Sequence, residues 1–146
     1  MRAILDASVI VAAVATKNPR SASRVVIEAA ALGAYEIIIT DEIEAEYRDA
    51  VAREKVRRAA PPGLDRLAFV AAIVGVSRRV EPGPSVRVVE RDPKDDKYVA
   101  AALAGEARWV VSFDRAHLLA LREHQGVGFV TPGDFLGILR DATSHS

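Results

Sequence analysis

Short apolar runs alternate with amphipathic segments along the whole chain. Ala3-Ile4-Leu5 predicts a short buried strand over 2–5. After Asp6-Ala7-Ser8, the run from Val9 to Val14 reads as the opening turns of a helix, broken at Asn18-Pro19. Over 21–32, Val25, Val26, Ala29 and Leu32 recur at three- and four-residue spacing and Gly33 is the stop, which predicts a helix. Tyr35 to Ile39 is apolar except for Glu36 and predicts a strand. Thr40 or Asp41 caps the next helix, and Asp41 with Glu44 has capping-box spacing. That helix buries Ile43, Tyr47, Ala50 and Val51, runs to about Arg58 and ends at Pro61-Pro62-Gly63.

The second half repeats the alternation. Leu64 to Val74 is amphipathic at helical spacing, and 76–80 and 86–89 are short β-like pieces, one of which is expected to join the sheet. Asp92 before Pro93 has the form of a helix start, with Asp as N-cap and Pro at the first helical position. The helix carries Tyr98, Val99, Ala101, Ala102 and Leu103 and stops at Gly105. Strands are predicted over 109–112 and 128–130. Helices are predicted over 115–121 and over 132–139, the latter capped by Thr131, with a polar, frayed tail over 141–146. Strands alternating with helices imply right-handed βαβ units. The expected fold is α/β: a three-layer α/β/α sandwich with a central, mainly parallel sheet of four to five strands, in a single domain over 1–140.

Composition narrows the chemistry. Half of the 146 residues are apolar and 27% are charged, as in an ordinary globular domain. Cysteine is absent, which excludes disulfides, zinc ribbons, iron–sulfur clusters and thiol nucleophiles. The chain begins on a strand pattern with no leader-like segment before it, and no apolar stretch has the length of a membrane span, so a cytoplasmic protein is expected. Net charge is zero. The basic residues nevertheless cluster, at Arg53, Lys55, Arg57 and Arg58, at Arg78-Arg79, and around Lys94, Lys97 and Arg115. Such clusters are either solvated helix ends or contacts for a phosphate chain.

Acidic residues fall where strands give way to helices. Asp6 follows the first strand, Glu44 and Glu46 lie in the helix after the second, Asp92, Asp95 and Asp96 open a helix, and Asp114 follows the strand over 109–112. In a parallel sheet the strand C-termini share one edge, where ligands bind, so these carboxylates can converge. A carboxylate cluster repels itself unless a hard cation neutralises it. Asp41 and Asp92 have a simpler reading as caps, and Asp95 as a charge favoured by the helix dipole. Asp6 and Asp114 directly follow buried strands, where a carboxylate must be paired, hydrogen-bonded or metal-bound. Periodicity does not choose between Glu44 and Glu46, which flank opposite sides of the Ile43/Tyr47 stripe. Rival chemistries lack their residues. Ser8 stands where a haloacid-dehalogenase phosphatase needs a second Asp, and G-x-G-x-x-G, P-loop and G-x-S-x-G motifs are missing. His117, His124 and His145 share no ligand-like spacing.

Taken in order, Leu5-Asp-Ala-Ser8, Ile39-Thr-Asp-Glu-Ile-Glu-Ala-Glu-Tyr47, Arg91-Asp-Pro-Lys-Asp-Asp-Lys97, Trp109-Val-Val-Ser-Phe-Asp114 and Val130-Thr-Pro-Gly-Asp-Phe-Leu136 resemble a PIN domain, over essentially the whole chain. The resemblance implies a metal-dependent ribonuclease with Asp6, Glu46, Asp96 and Asp114 as metal-binding, catalytic residues and Mg²⁺ or Mn²⁺ as cofactor. It also selects Glu46 over Glu44 and Asp96 over Asp95. Ser8, Ser112, Asp92 and Asp95 would support the site, and Arg53, Lys55, Arg57, Arg58, Lys94 and Lys97 would contact the backbone of single-stranded or loop RNA. The Asp-Pro-x-Asp-Asp form is similar to VapC-like toxins of toxin–antitoxin pairs, which implies an antitoxin partner. Homodimerisation is expected too, because the apolar faces of 21–32 and 64–74 are broad enough to leave an exposed stripe. The competing expectation is a PIN-fold binding module with weak or no cleavage. Phe113 departs from the small residue common at that position.

Overall fold

The computed structural model describes residues 1–82 and 96–144. Asp92, Lys94, Asp95, His145 and the β-like piece over 86–89 lie outside the described residues. β1 (Arg2–Leu5) leads into α1 (Ala7–Ala15) and α2 (Ala22–Ala31); β2 (Glu36–Ile39) leads into α3 (Asp41–Ala52), α4 (Glu54–Ala59) and α5 (Arg66–Val76). β3 (Arg78–Arg79), α6 (Asp96–Ala104), β4 (Trp109–Val111), β5 (Glu123–His124), β6 (Val127–Val130) and α7 (Pro132–Ser144) follow. One sheet runs in the order β3-β2-β1-β4-β6-β5. Every pairing is parallel except that of the β5 edge strand with β6.

The central strands are apolar on both faces because helices flank the sheet. Ala3, Ile4, Leu5, Ile37, Ile38, Val110 and Val111 are all fully buried. α6 packs on β1, β2, β4 and β6, while α1 packs with α2, α3, α4 and α5, and α2 packs on α7. Tyr35 and Phe135 meet edge to face, with ring centroids 4.8 Å apart, tying the β2 approach to α7. Among the described residues no helix is long and apolar enough to cross a membrane.

The α/β class and the mainly parallel sheet are as expected; several details are not. The sheet has six strands, since Glu123–His124 adds an antiparallel edge through the two-residue loop Gln125-Gly126. Both loop residues have positive φ, 50° and 84°, which matches the twist of a tight hairpin. Residues 115–121 do not form an α-helix. The Asp114 carboxylate caps the His117 N–H at 3.1 Å, a 3₁₀ turn covers Leu119–Leu121, and the chain reverses at Arg122 with φ 56°. The helix expected to reach Arg58 breaks at Arg53, whose extended backbone separates α3 from α4.

The Asp41/Glu44 capping box does not form. Thr40 caps α3 by accepting the Ile43 N–H at 3.2 Å, while Arg79, carried beside Ile39 by β3, pairs with both Asp41 and Glu44. Leu32 is not part of the buried stripe; it is the C-cap of α2 and 86% exposed. The polar segment Asp141–Ser144 is helical as the end of α7.

Gly105, just past α6, is fixed by close approach. A Cβ there would lie 2.7 Å from Cγ2 of the fully buried Ile38 and 3.2 Å from the Ala101 carbonyl. Gly105→Ala is therefore expected to cost about 1–3 kcal/mol by overpacking. Equilibrium urea unfolding checks this; an unchanged midpoint would mean that the α6–β2 contact is looser than described.

Candidate functional site

β1 sends the chain towards β2 on one side, while β4 returns on its other side. The β1/β4 pair is thus where the strand order reverses, and its carboxyl edge is where an α/β sheet opens a crevice. Asp6 sits at that point. Its N–H extends the ladder to the Val111 carbonyl at 3.0 Å, and its side chain caps α1 by accepting the Ser8 N–H at 3.0 Å. The Ser8 hydroxyl donates to the same Oδ1, and the Ser112 hydroxyl donates to Oδ2 at 2.5 Å. Asp6 is only 5% exposed and has no cationic partner among the described residues. Burial pushes its carboxyl up to about 6, against the opposing pull of the two serines.

Two buried tyrosines bring α3 and α6 to this corner. The Tyr47 hydroxyl donates to the Leu5 carbonyl at the end of β1. Tyr98 accepts the Ala7 N–H at 3.1 Å and donates to Glu46 Oε1 at 2.7 Å, so one hydroxyl bridges the residue after Asp6 and the Glu46 carboxylate. Burial raises both phenols far above their ordinary range, with the charges of Asp6 and Glu46 adding to it; both remain neutral donors. Glu46 faces the site, whereas Glu44 is turned to Arg48 and Arg79. The helical wheel left that choice open. Neither tyrosine was assigned a site role from the sequence. The available signal was a phenol rather than a phenyl at a buried position, since a buried Tyr hydroxyl usually has a partner.

Asp114 arrives on the other side. Its N–H donates to Ser112 Oγ at 2.8 Å, and the Phe113 N–H donates to Ser8 Oγ at 3.0 Å. The two serine hydroxyls that hold Asp6 therefore also fix the turn carrying Asp114. The Asp114 carboxylate accepts the His117 N–H and lies 3.5 Å from His117 Nδ1. His117, which shows no ligand-like spacing in the sequence, thus orients Asp114. Asp96 opens the described part of α6 and is half-buried.

Lys97 and the α4 cluster depart from the expected RNA contacts. The Lys97 ammonium pairs with Glu46 Oε2, only 14% of its side chain is exposed, and it lies over the Tyr98 ring at 5.5 Å. It points into the site. Arg57 and Arg58 share Glu54 on α4, which offsets part of that cluster's charge, while Arg53 and Lys55 are exposed.

The donor chemistry, all carboxylate with a desolvated Asp6, suits a hard divalent cation. Among the described residues, however, no three His, Asp or Glu side chains are placed so as to hold a metal ion. The four-carboxylate cradle expected from the sequence is not closed as the side chains stand. Glu46 has a hydroxyl on one oxygen and an ammonium on the other.

Fold and site together define an α/β protein with acidic groups gathered at the switch point of a parallel sheet. A PIN-domain profile matches residues 2–116, and the chain belongs to the PIN domain family. PIN domains are generally nucleases that use divalent metal ions. The crystal structure of PAE2754 from Pyrobaculum aerophilum superposes with a TM-score of 0.60 at 18% identity, over 97% of this chain and 90% of that one. That likeness shows the shared fold. No curated protein sequence matches the chain significantly.

The raised Asp6 carboxyl sets a sign for pH dependence. Its folded value near 6 exceeds an unfolded value of about 3.9, so the folded state binds more protons between these limits. Stability falls as pH rises through that window and the penalty levels off above it. With divalent ions chelated, Asp6→Asn is expected to be more stable than the wild type above about pH 6, by on the order of 3 kcal/mol. The two should converge near pH 4. Thermal melts across pH check this; a gap independent of pH would mean that Asp6 is not desolvated.

Proposed function

We propose that this chain is a divalent-metal-dependent endoribonuclease, acting in the cytoplasm as the toxin of a VapBC-type toxin–antitoxin pair. The observation that supports it most is Asp6: a carboxylate buried at the sheet's switch point, oriented by two hydroxyls and without a cationic partner among the described residues. Burying a charge in that way is costly, and a site that binds a cation gives the cost a purpose.

Asp6 and Asp96 would hold Mg²⁺ or Mn²⁺, with Glu46 and Asp114 joining directly or through water. A bound ion of this kind supplies an activated water and neutralises charge on the phosphodiester. The protein's own part is positional. Ser8 and Ser112 orient Asp6, Tyr98 orients Glu46, and the His117 N–H orients Asp114. No protein nucleophile is needed, in keeping with the absence of cysteine. Single-stranded or loop RNA suits a recessed site because its unstacked nucleotides can enter. Arg53 and Lys55 are candidate backbone contacts, with a salt-dependent effect.

A second reading, a binding module acting through protein partners, has its own support. Leu32, Leu67 and Val76 on α2 and α5 are exposed large apolar side chains. Leu32 and Leu67 fall on the segments expected to dimerise, and the same side chains would suit contact with an antitoxin. Asp6→Ala and Asp96→Asn are each expected to lower metal-dependent RNA cleavage by at least about 100-fold, more than typical losses from supporting residues, while circular dichroism stays that of the wild type. Full cleavage by either purified variant would overturn the assignment of these carboxylates, whereas a wild type that does not cleave RNA with metal would leave the binding-module reading in place.

A further inference from the structure

Phe113 is a large apolar side chain beside the acidic site that the fold leaves in water. It is 45% exposed and follows Ser112, which is fully buried. Its backbone is clamped on both sides: its own N–H donates to Ser8 Oγ at 3.0 Å and the next N–H, of Asp114, to Ser112 Oγ at 2.8 Å. Both hydroxyls donate in turn to Asp6. The ring is thus mounted on a rigid turn, one hydroxyl away from the deepest carboxylate, yet it is not used in packing the core cluster. Arg115, two residues on, is exposed and makes no ion pair or side-chain hydrogen bond among the described residues. An aromatic face and an unpaired cation therefore flank Asp114.

An aromatic ring on a fixed mount beside a cationic side chain is the arrangement that binds single-stranded nucleic acid. The ring stacks a base of any identity, and the cation follows the backbone. We propose that Phe113 is a stacking platform for an unstacked nucleobase of the RNA substrate, holding the strand so that a neighbouring phosphate lies over the Asp6–Asp114 corner, with Arg115 on the phosphate chain. This rests on the nuclease reading above and adds a substrate-positioning residue to it. Stacking on one face reads no base edge, so the platform selects single strands over duplexes without fixing a sequence.

The test is fluorescence-anisotropy binding of a labelled single-stranded RNA to the full chain with divalent ions chelated, and of the same RNA annealed to its complement. Phe113→Leu keeps the bulk and loses the π-face. It is expected to weaken single-strand binding roughly 5- to 150-fold, the range implied by about 1–3 kcal/mol per stacked base, and to leave duplex binding unchanged. Phe113→Trp is expected to restore it. In cleavage assays with Mn²⁺, Phe113→Leu should raise KM far more than it lowers kcat, a split that a merely structural role would not give. Wild-type single-strand affinity in Phe113→Leu overturns the platform while leaving the nuclease assignment intact. A change of oligomeric state on gel filtration, with RNA affinity unaltered, also overturns it and makes Phe113 part of a subunit contact. If the wild type neither binds nor cleaves single-stranded RNA, the ribonuclease reading falls and the platform with it.

Discussion

A carboxylate buried at the end of the central strand is the constraint around which this corner of the protein is arranged. Asp6 caps α1, continues the β1/β4 ladder through its backbone and has both oxygens filled by serine hydroxyls. A lone charge in such a place is unfavourable unless its hydrogen bonds are complete. Two hydroxyls, one from each side of the β1/β4 seam, complete them. Each hydroxyl then has a lone pair left for a backbone N–H of the turn after β4. Holding the charge and shaping the loop are thus one network.

The tyrosines extend the network to the helices. Tyr47 and Tyr98 are both buried, and their hydroxyls end at the β1/α1 junction rather than in the general core. Tyr98 links α6 to α3 by joining the Ala7 N–H to Glu46. Phenols suit this task because they stay neutral there, donating to a carboxylate without cancelling its charge. Lys97 does cancel charge, at Glu46. The electrostatics are therefore uneven: Glu46 is neutralised by an ammonium, Asp114 is steadied by an N–H and a nearby imidazole, and Asp6 is desolvated and held by two hydroxyls and the Ser8 N–H.

Legibility differed between parts of the chain for physical reasons. β1, β2 and β4 stood out because strands buried on both faces read as short, continuous apolar runs. The buried face of α3 was right at Ile43, Tyr47, Ala50 and Val51, since one helical stripe meets one core. The hairpin of β5 was hidden, because its turn is Gln-Gly and its strand is two polar residues long. The segment after Asp114 looked helical by composition, but the Asp114 carboxylate and the reversal at Arg122 hold it as turns. The apparent Asp41/Glu44 box lost to Arg79, a residue 35 positions or more away.

What the sequence settled alone was the α/β alternation, the acidic residues at strand ends and, through the order of its motifs, the likeness to PIN domains. Local spacing and periodicity carry that information, because each depends only on residues near one another in the chain. Which carboxylate of α3 faces inward, which lysine turns into the site instead of towards solvent, and which hydroxyls hold Asp6 were decided by tertiary contacts. Apart from the local Ser8 bond to Asp6, those pairings join residues 51 to 106 positions apart, and nothing in a local pattern encodes the direction of a side chain until the sheet has brought its partner alongside.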